Sequence, residues 1–140
     1  MPGSHGKALF FSLDNSTPAV KDISADVEEV DGLPGEVELA KYAGGGSSGY
    51  SHIPGLFNCE FTVKAVFNDT ADKAWDVVKG YLADAATRSF VYGPKGSSNG
   101  YPKFSGECWI RSIALPGKTT DMNRFTATLV VDGVVTIGTF

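Results

Sequence analysis

Apolar and polar residues alternate with a period of two along most of the chain. Residues 58–67 show it best: Cys59, Phe61, Val63, Ala65 and Phe67 fall on one face, and Glu60, Thr62 and Lys64 on the other. That is the pattern of a strand with one buried side. Residues 8–13 predict a short apolar strand closed by the turn cluster Asp14-Asn15-Ser16-Thr17-Pro18. Further strands are expected at residues 27–30, 36–42, 88–92, 104–115, 124–131 and 134–140. Asp132-Gly133 between the last two predicts a hairpin, because this dipeptide tolerates the positive φ of a type I′ turn.

One segment changes period. Ala71, Trp75, Val78 and Leu82 recur at i, i+4, i+7 and i+11, a helical stripe. It predicts one flanking α-helix over about residues 70–84, with Asp69 or Thr70 as its cap and Asp72 in its first turn. Trp75, Val78 and Leu82 are expected to lie on a sheet. The fold class is therefore mainly β, an antiparallel β-sandwich or barrel carrying one helix. Residues 43–57 break the pattern: Gly44-Gly45-Gly46-Ser47-Ser48-Gly49 has the composition of a flexible loop, and Tyr50, His52, Ile53, Pro54 and Leu56 follow as contact-forming residues on a mobile stem. A second glycine-rich connection, residues 93–100, joins two strands.

The chain has 140 residues, 42% hydrophobic and 20% charged, a globular composition for which one domain spanning 1–140 with a flexible tail at 1–7 is expected. No apolar run approaches a bilayer span, and the N-terminus has no apolar signal-peptide core. Twelve Lys and Arg against sixteen Asp and Glu leave a net charge of −4, unlike a protein that binds nucleic acid by neutralising phosphates. The charges are segregated. Residues 22–38 hold seven acids (Asp22, Asp26, Glu28, Glu29, Asp31, Glu36, Glu38) and no base, whereas residues 88–124 hold six bases (Arg88, Lys95, Lys103, Arg111, Lys118, Arg124) against Glu107 and Asp121. Two solvated faces would explain this, as would a dipolar protomer whose copies meet with opposite signs. Glu36 and Glu38 alternate with Val37 and Leu39, which claim the opposite face of their strand.

Catalytic chemistry finds no support. His5 lies in the tail and His52 in the flexible stretch, so neither is placed as a base for a nucleophile. Cys59 and Cys108 have no CxxC spacing and read as reduced core residues, leaving no metal site and no cofactor. Gly117-Lys118-Thr119 resembles the end of a phosphate loop, but a strand follows it, so it reads as a hairpin turn. The sequons at Asn15 and Asn68 matter only in a secretory pathway.

Three blocks, in order, carry a resemblance. They are Ser12-Leu13-Asp14-Asn15 with Val20-Lys21-Asp22-Ile23-Ser24-Ala25; Ser51-His52-Ile53-Pro54-Gly55-Leu56 before the alternating strand; and Phe90-Val91-Tyr92-Gly93-Pro94-Lys95-Gly96 with Lys103-Phe104-Ser105-Gly106-Glu107, Phe125-Thr126-Ala127-Thr128-Leu129 and Gly138-Thr139-Phe140. Together they resemble the tail tube (major tail) proteins of long-tailed, siphovirus-type bacteriophages over residues 5–140. The resemblance implies a β-sandwich subunit of the virion tail, assembled in the host cytoplasm into stacked hexameric rings through which the genome passes into the host. It implies tape-measure, tail-tip and tail-terminator proteins as partners, no membrane, and genomic DNA as a passenger rather than a ligand.

In such a tube a long loop makes ring-to-ring contacts, a role the resemblance gives to Tyr50, His52, Ile53, Pro54 and Leu56. Asp26, Glu28, Glu36 and Glu38 would form an acidic lumen or inter-ring surface. A compact domain of this length has a radius of gyration of roughly 14 Å, too small to surround duplex DNA alone, and an acidic wall would let phosphates slide. The alternative is a monomeric β-sandwich binding module for a receptor or carbohydrate on a virion or cell surface. That reading expects aromatics in rigid surface loops, whereas Phe61, Phe67, Trp75, Phe104 and Phe125 fall at core-like positions.

Overall fold

A computed structural model describes residues 6–117 and 119–140. The strands are β1 (Phe10–Asp14), β2 (Val20–Asp22), β3 (Val27–Asp31), β4 (Glu36–Tyr42), β5 (Ser51–Asn58), β6 (Glu60–Val66), β7 (Arg88–Gly93), β8 (Pro102–Ala114) and β9 (Arg124–Thr139), with one helix, α1 (Ala74–Val78). Seven strands form one antiparallel sheet in the order β2-β1-β7-β8-β9-β6-β3, and β4 and β5 pair only with each other. The expected antiparallel, mainly β architecture with a helix is the one observed. Lys118, within the expected phosphate-loop mimic, and residues 1–5 of the expected tail lie outside the described residues.

The sandwich arises because the single sheet folds back on itself. β7 pairs with β8 over Phe104 to Cys108, while β6 pairs with β9 over Arg124 to Val130. β8 and β9 therefore run through both layers. Phe11 and Phe90 from one layer meet Phe61 from the other, with ring centroids 6.4 Å and 4.9 Å from that of Phe61. Phe125, Leu129, Val63 and Ala65 complete the same buried core, on the alternation the sequence shows.

The fold-over corrects one expectation. Asp132-Gly133 is not a hairpin; β9 continues through it as one strand. The register moves from Ser105↔Thr136 to Glu107↔Asp132, so one residue of β8 faces three of β9. Gly133 takes φ +90°, which its missing Cβ permits, and uses it to bend a strand rather than reverse it.

The helix is also shorter than its stripe. α1 buries Ala74, Val77 and Val78 and lays a half-buried Trp75 against Phe67 and Phe125, at 5.3 and 5.8 Å between ring centroids. Ala71 is exposed, and Leu82, in a separate 3-10 turn, is 86% exposed. The stripe fails because Asp72 at φ +63° lies outside the helix and the α-helix ends before Gly80. Neither Asp69 nor Thr70 caps it. Lys73 holds the N-cap position without a side-chain bond, and the Ala74 N–H donates to Oδ2 of Asp26, 3.2 Å away on a distant segment.

Arg88 departs furthest from the sequence reading. Rather than adding to a basic surface, its side chain is 2% exposed and donates in bidentate fashion to Asp84, at 2.7 and 2.9 Å. Its remaining nitrogen donates to the carbonyls of Val77 and Asp14 at 2.6 and 3.3 Å, tying β7 to α1 and β1. Cys59 and Cys108 are free thiols in the core, and burial raises the pKa of both.

Candidate assembly interface

The β4–β5 hairpin stands off the main sheet. Cross-strand partners run Val37↔Phe57, Leu39↔Pro54, Ala40↔Ile53, Lys41↔His52 and Tyr42↔Ser51. Ser51 to Leu56 thus belong to a paired strand, and the open loop shrinks to residues 43–50. This corrects the expectation of a flexible stretch over 43–57. Pro54 lacks a donor, yet in a two-stranded arm each strand is an edge, where proline is admissible.

By strand alternation Val37, Leu39 and Lys41 share a face with Phe57, Pro54 and His52, while Glu36, Glu38, Ala40 and Tyr42 share the other with Ile53 and Ser51. Both faces are open. Tyr50, His52, Pro54 and Tyr42 are exposed, Ile53 is 57% exposed and Leu56 81%. Val37 and Leu39 are exposed as well, so the opposite face they claim is not a core face. Phe57 alone packs partly on the core and anchors the hairpin's base. Near the tip the Lys41 ammonium lies 4.6 Å from the Tyr50 ring centroid.

The four acids singled out from the sequence divide. Asp26 is spent inside the protomer, accepting from the Ala74 N–H and from Asn68. Glu28 forms a 2.6 Å ion pair with Arg124, which also reaches Asp121 at 3.0 Å, and these acids raise the Arg124 pKa. Glu36 and Glu38 stay exposed at the hairpin's base, and Glu36 shares a shallow groove with Gly32, Gly35 and Glu60. The structure thus brings Glu36 and Glu38 together with the apolar arm and leaves Asp26 and Glu28 elsewhere.

An isolated two-stranded hairpin is marginal in water, and one carrying Val37, Leu39, Tyr42, Ile53 and Leu56 in the open presents the surface of an unmade contact. Solved structures share this architecture. A chain in the tail of an empty gene transfer agent particle, refined with C6 symmetry, matches at TM-score 0.76 and 16% identity, covering 97% of this chain and 99% of that one. The SPP1 tail tube matches at TM-score 0.72 and 13% identity, over 99% of this chain and 81% of that one.

The chain has the tail-tube fold.

The same fold extends to a chain in the sheath-tube complex of an extracellular contractile injection system, at TM-score 0.71 and 14% identity over 99% of this chain and 93% of that one. No family model and no curated protein matches the sequence. Among the described residues of this tail-tube fold, no helix is long and apolar enough to cross a membrane.

Proposed function

We propose that the protein is a structural subunit of a virion tail tube, whose copies form hexameric rings that stack into a conduit for DNA. The observation that carries the reading is the β4–β5 arm: a paired, apolar element that its own protomer leaves largely exposed beyond Phe57. Structures that share the fold come from assemblies that include a particle tail refined with C6 symmetry, a tube-terminating cap and a baseplate. Those neighbours favour self-association and tail partners such as terminator, tape-measure and tail-tip proteins.

In this reading Tyr50, His52, Ile53, Pro54 and Leu56 meet the neighbouring ring. Residues 43–50, rich in glycine and serine, settle against it, since ordering a free loop costs roughly 1–2 kcal/mol per residue. The excess of acids over bases suits a bore through which phosphates slide. Negative-stain microscopy of concentrated protein tests the reading. Rings or tubes are expected for the native chain and should be lost in a Leu39→Ser/Ile53→Ser/Leu56→Ser variant that melts normally. A native protein that stays monomeric at every concentration would overturn it.

A further inference from the structure

Several charged side chains are neutralised inside the protomer: Lys21 by Asp72, Lys79 by Asp76, Arg88 by Asp84, Arg111 by Glu60, and Arg124 by Glu28 and Asp121. Among the side chains outside these pairs, two groups of opposite sign gather at different places on the fold.

The first gathers where β7 gives way to β8. No carboxylate side chain occurs from Ser89 to Gly106 or from Gly133 to Phe140, while Lys95 and Lys103 lie in the first of these stretches. The β7–β8 connection closes over the end of β9. The Gly100 N–H donates to a main-chain oxygen of Phe140 at 2.9 Å, and the Phe140 N–H donates to the Tyr101 carbonyl at 3.0 Å. Gly93 sits directly under the Phe140 ring, where a Cβ would come within 2.7 Å of it. On this built surface Lys95 lies 4.7 Å from the Tyr101 ring centroid and Lys103 5.5 Å from that of Phe140. Neither lysine has an ion-pair partner among the described residues. These cation–ring contacts favour the ammonium positions at this surface.

The second group is Asp31, Glu36 and Glu38, at the β3 edge and the base of the hairpin, likewise without an ion-pair partner among the described residues. Register measures the separation. Asp31 is level with Thr62, Thr128 and hence Ser112 on β8, nine residues beyond Lys103. That is about 30 Å of strand, and no ion pair joins the two groups within the protomer.

We infer that the Lys95/Lys103 end of one subunit docks on the Asp31/Glu36/Glu38 surface of a second copy, giving the assembly a head-to-tail polarity. The inference rests on the tube reading and adds to it which surface of one copy meets which surface of the next. A cationic, aromatic surface also suits nucleic acid. The second copy is favoured because this chain itself supplies the complementary, uncompensated acids and carries a net charge of −4.

Charge exchange tests this, with self-association followed by sedimentation velocity at low and high salt and assemblies viewed by negative stain. K95E/K103E and E36K/E38K are each expected to fold with native melts yet to weaken association about tenfold or more, since like charges then face each other across the contact. Combining all four substitutions is expected to restore association. The inference is overturned if K95E/K103E assembles like the parent, or if the combined variant folds but stays dissociated. It is also overturned if K95E/K103E loses binding to a fluorescent DNA oligonucleotide while its self-association is untouched. Tubes that persist in K95E/K103E would remove the inference and leave the tube reading standing. A parent protein that never self-associates would remove both.

Discussion

Leu56 offers the sharpest measurement on the projecting arm. The residue is 81% exposed, so in the proposed tube about four-fifths of the burial free energy of a leucine would be gained on assembly. Full burial of such a side chain is worth about 1.5–3 kcal/mol, which leaves about 1.2–2.4 kcal/mol for the contact. Leu56→Ser forfeits that amount at each subunit added to a tube. Because 1.4 kcal/mol corresponds to a factor of ten, the concentration of free subunit in equilibrium with tubes should rise roughly 7- to 50-fold. The folded protomer should hardly notice, with a change within about 0.5 kcal/mol in urea melts, as for other exposed positions. Pelleting tubes over a concentration series and measuring the residual soluble subunit gives the number directly. A critical concentration indistinguishable from the parent's, or an equal loss of stability in the isolated protomer, would refute the reasoning.

Other perturbations probe the frame that holds the arm. Arg88→Met leaves Asp84 buried without its partner and should cost about 3–5 kcal/mol; adding Asp84→Leu should recover part of it, and a double-mutant cycle without coupling would contradict the buried pair. Asp26→Ala removes the only side chain that meets the Ala74 N–H, and a loss of about 1–2 kcal/mol in thermal melts is expected; an unchanged melt would mean the cap contributes nothing. Gly133→Val forces a branched side chain to φ +90° and should cost about 1–3 kcal/mol; a neutral result would show that β9 bends without that glycine. Burial pushes the Cys108 thiol up, so the folded chain keeps a proton that the unfolded chain releases above about pH 8.5. Stability should therefore fall as pH rises past that point, and Cys108→Ala should flatten the decline; an identical slope in the variant would rule out this thiol as a source.

Legibility from sequence followed burial. Cys59 to Ala65 and Phe125 to Val131 announce themselves because one face of each strand is inside, which forces alternation. The β4–β5 arm has no inside: Glu36 and Glu38 alternating with Val37 and Leu39 still mark β4, whereas the stretch around Ile53 shows no such alternation and Ser51 to Leu56 read as loop. Asp132-Gly133 signals a positive φ correctly, but a turn and a bulge need the same dihedral and differ only in what the rest of the sheet does. Leu82 continues a helical period that Gly80 stops. The Arg88 site could not be read at all, because Asp14, Val77, Asp84 and Arg88 reach it from several segments of the chain. Of the residues proposed for ring contacts, Tyr50, Ile53 and Leu56 are exposed. Asp26 and Glu28 are engaged within the protomer instead, and their partners, Ala74 and Arg124, lie far along the sequence.

The projecting arm also separates two kinds of selection. Apart from Phe57, its strands contribute nothing to the core of their own protomer, so substitutions along Val37 to Tyr42 and Ser51 to Leu56 are judged by partners rather than by folding. On the proposed tube reading, substitutions in the arm need compensating changes only in the surface that receives it. On the same reading, two proteins with the same sheet and different arms would exclude each other's subunits from assembly while their cores remained interchangeable.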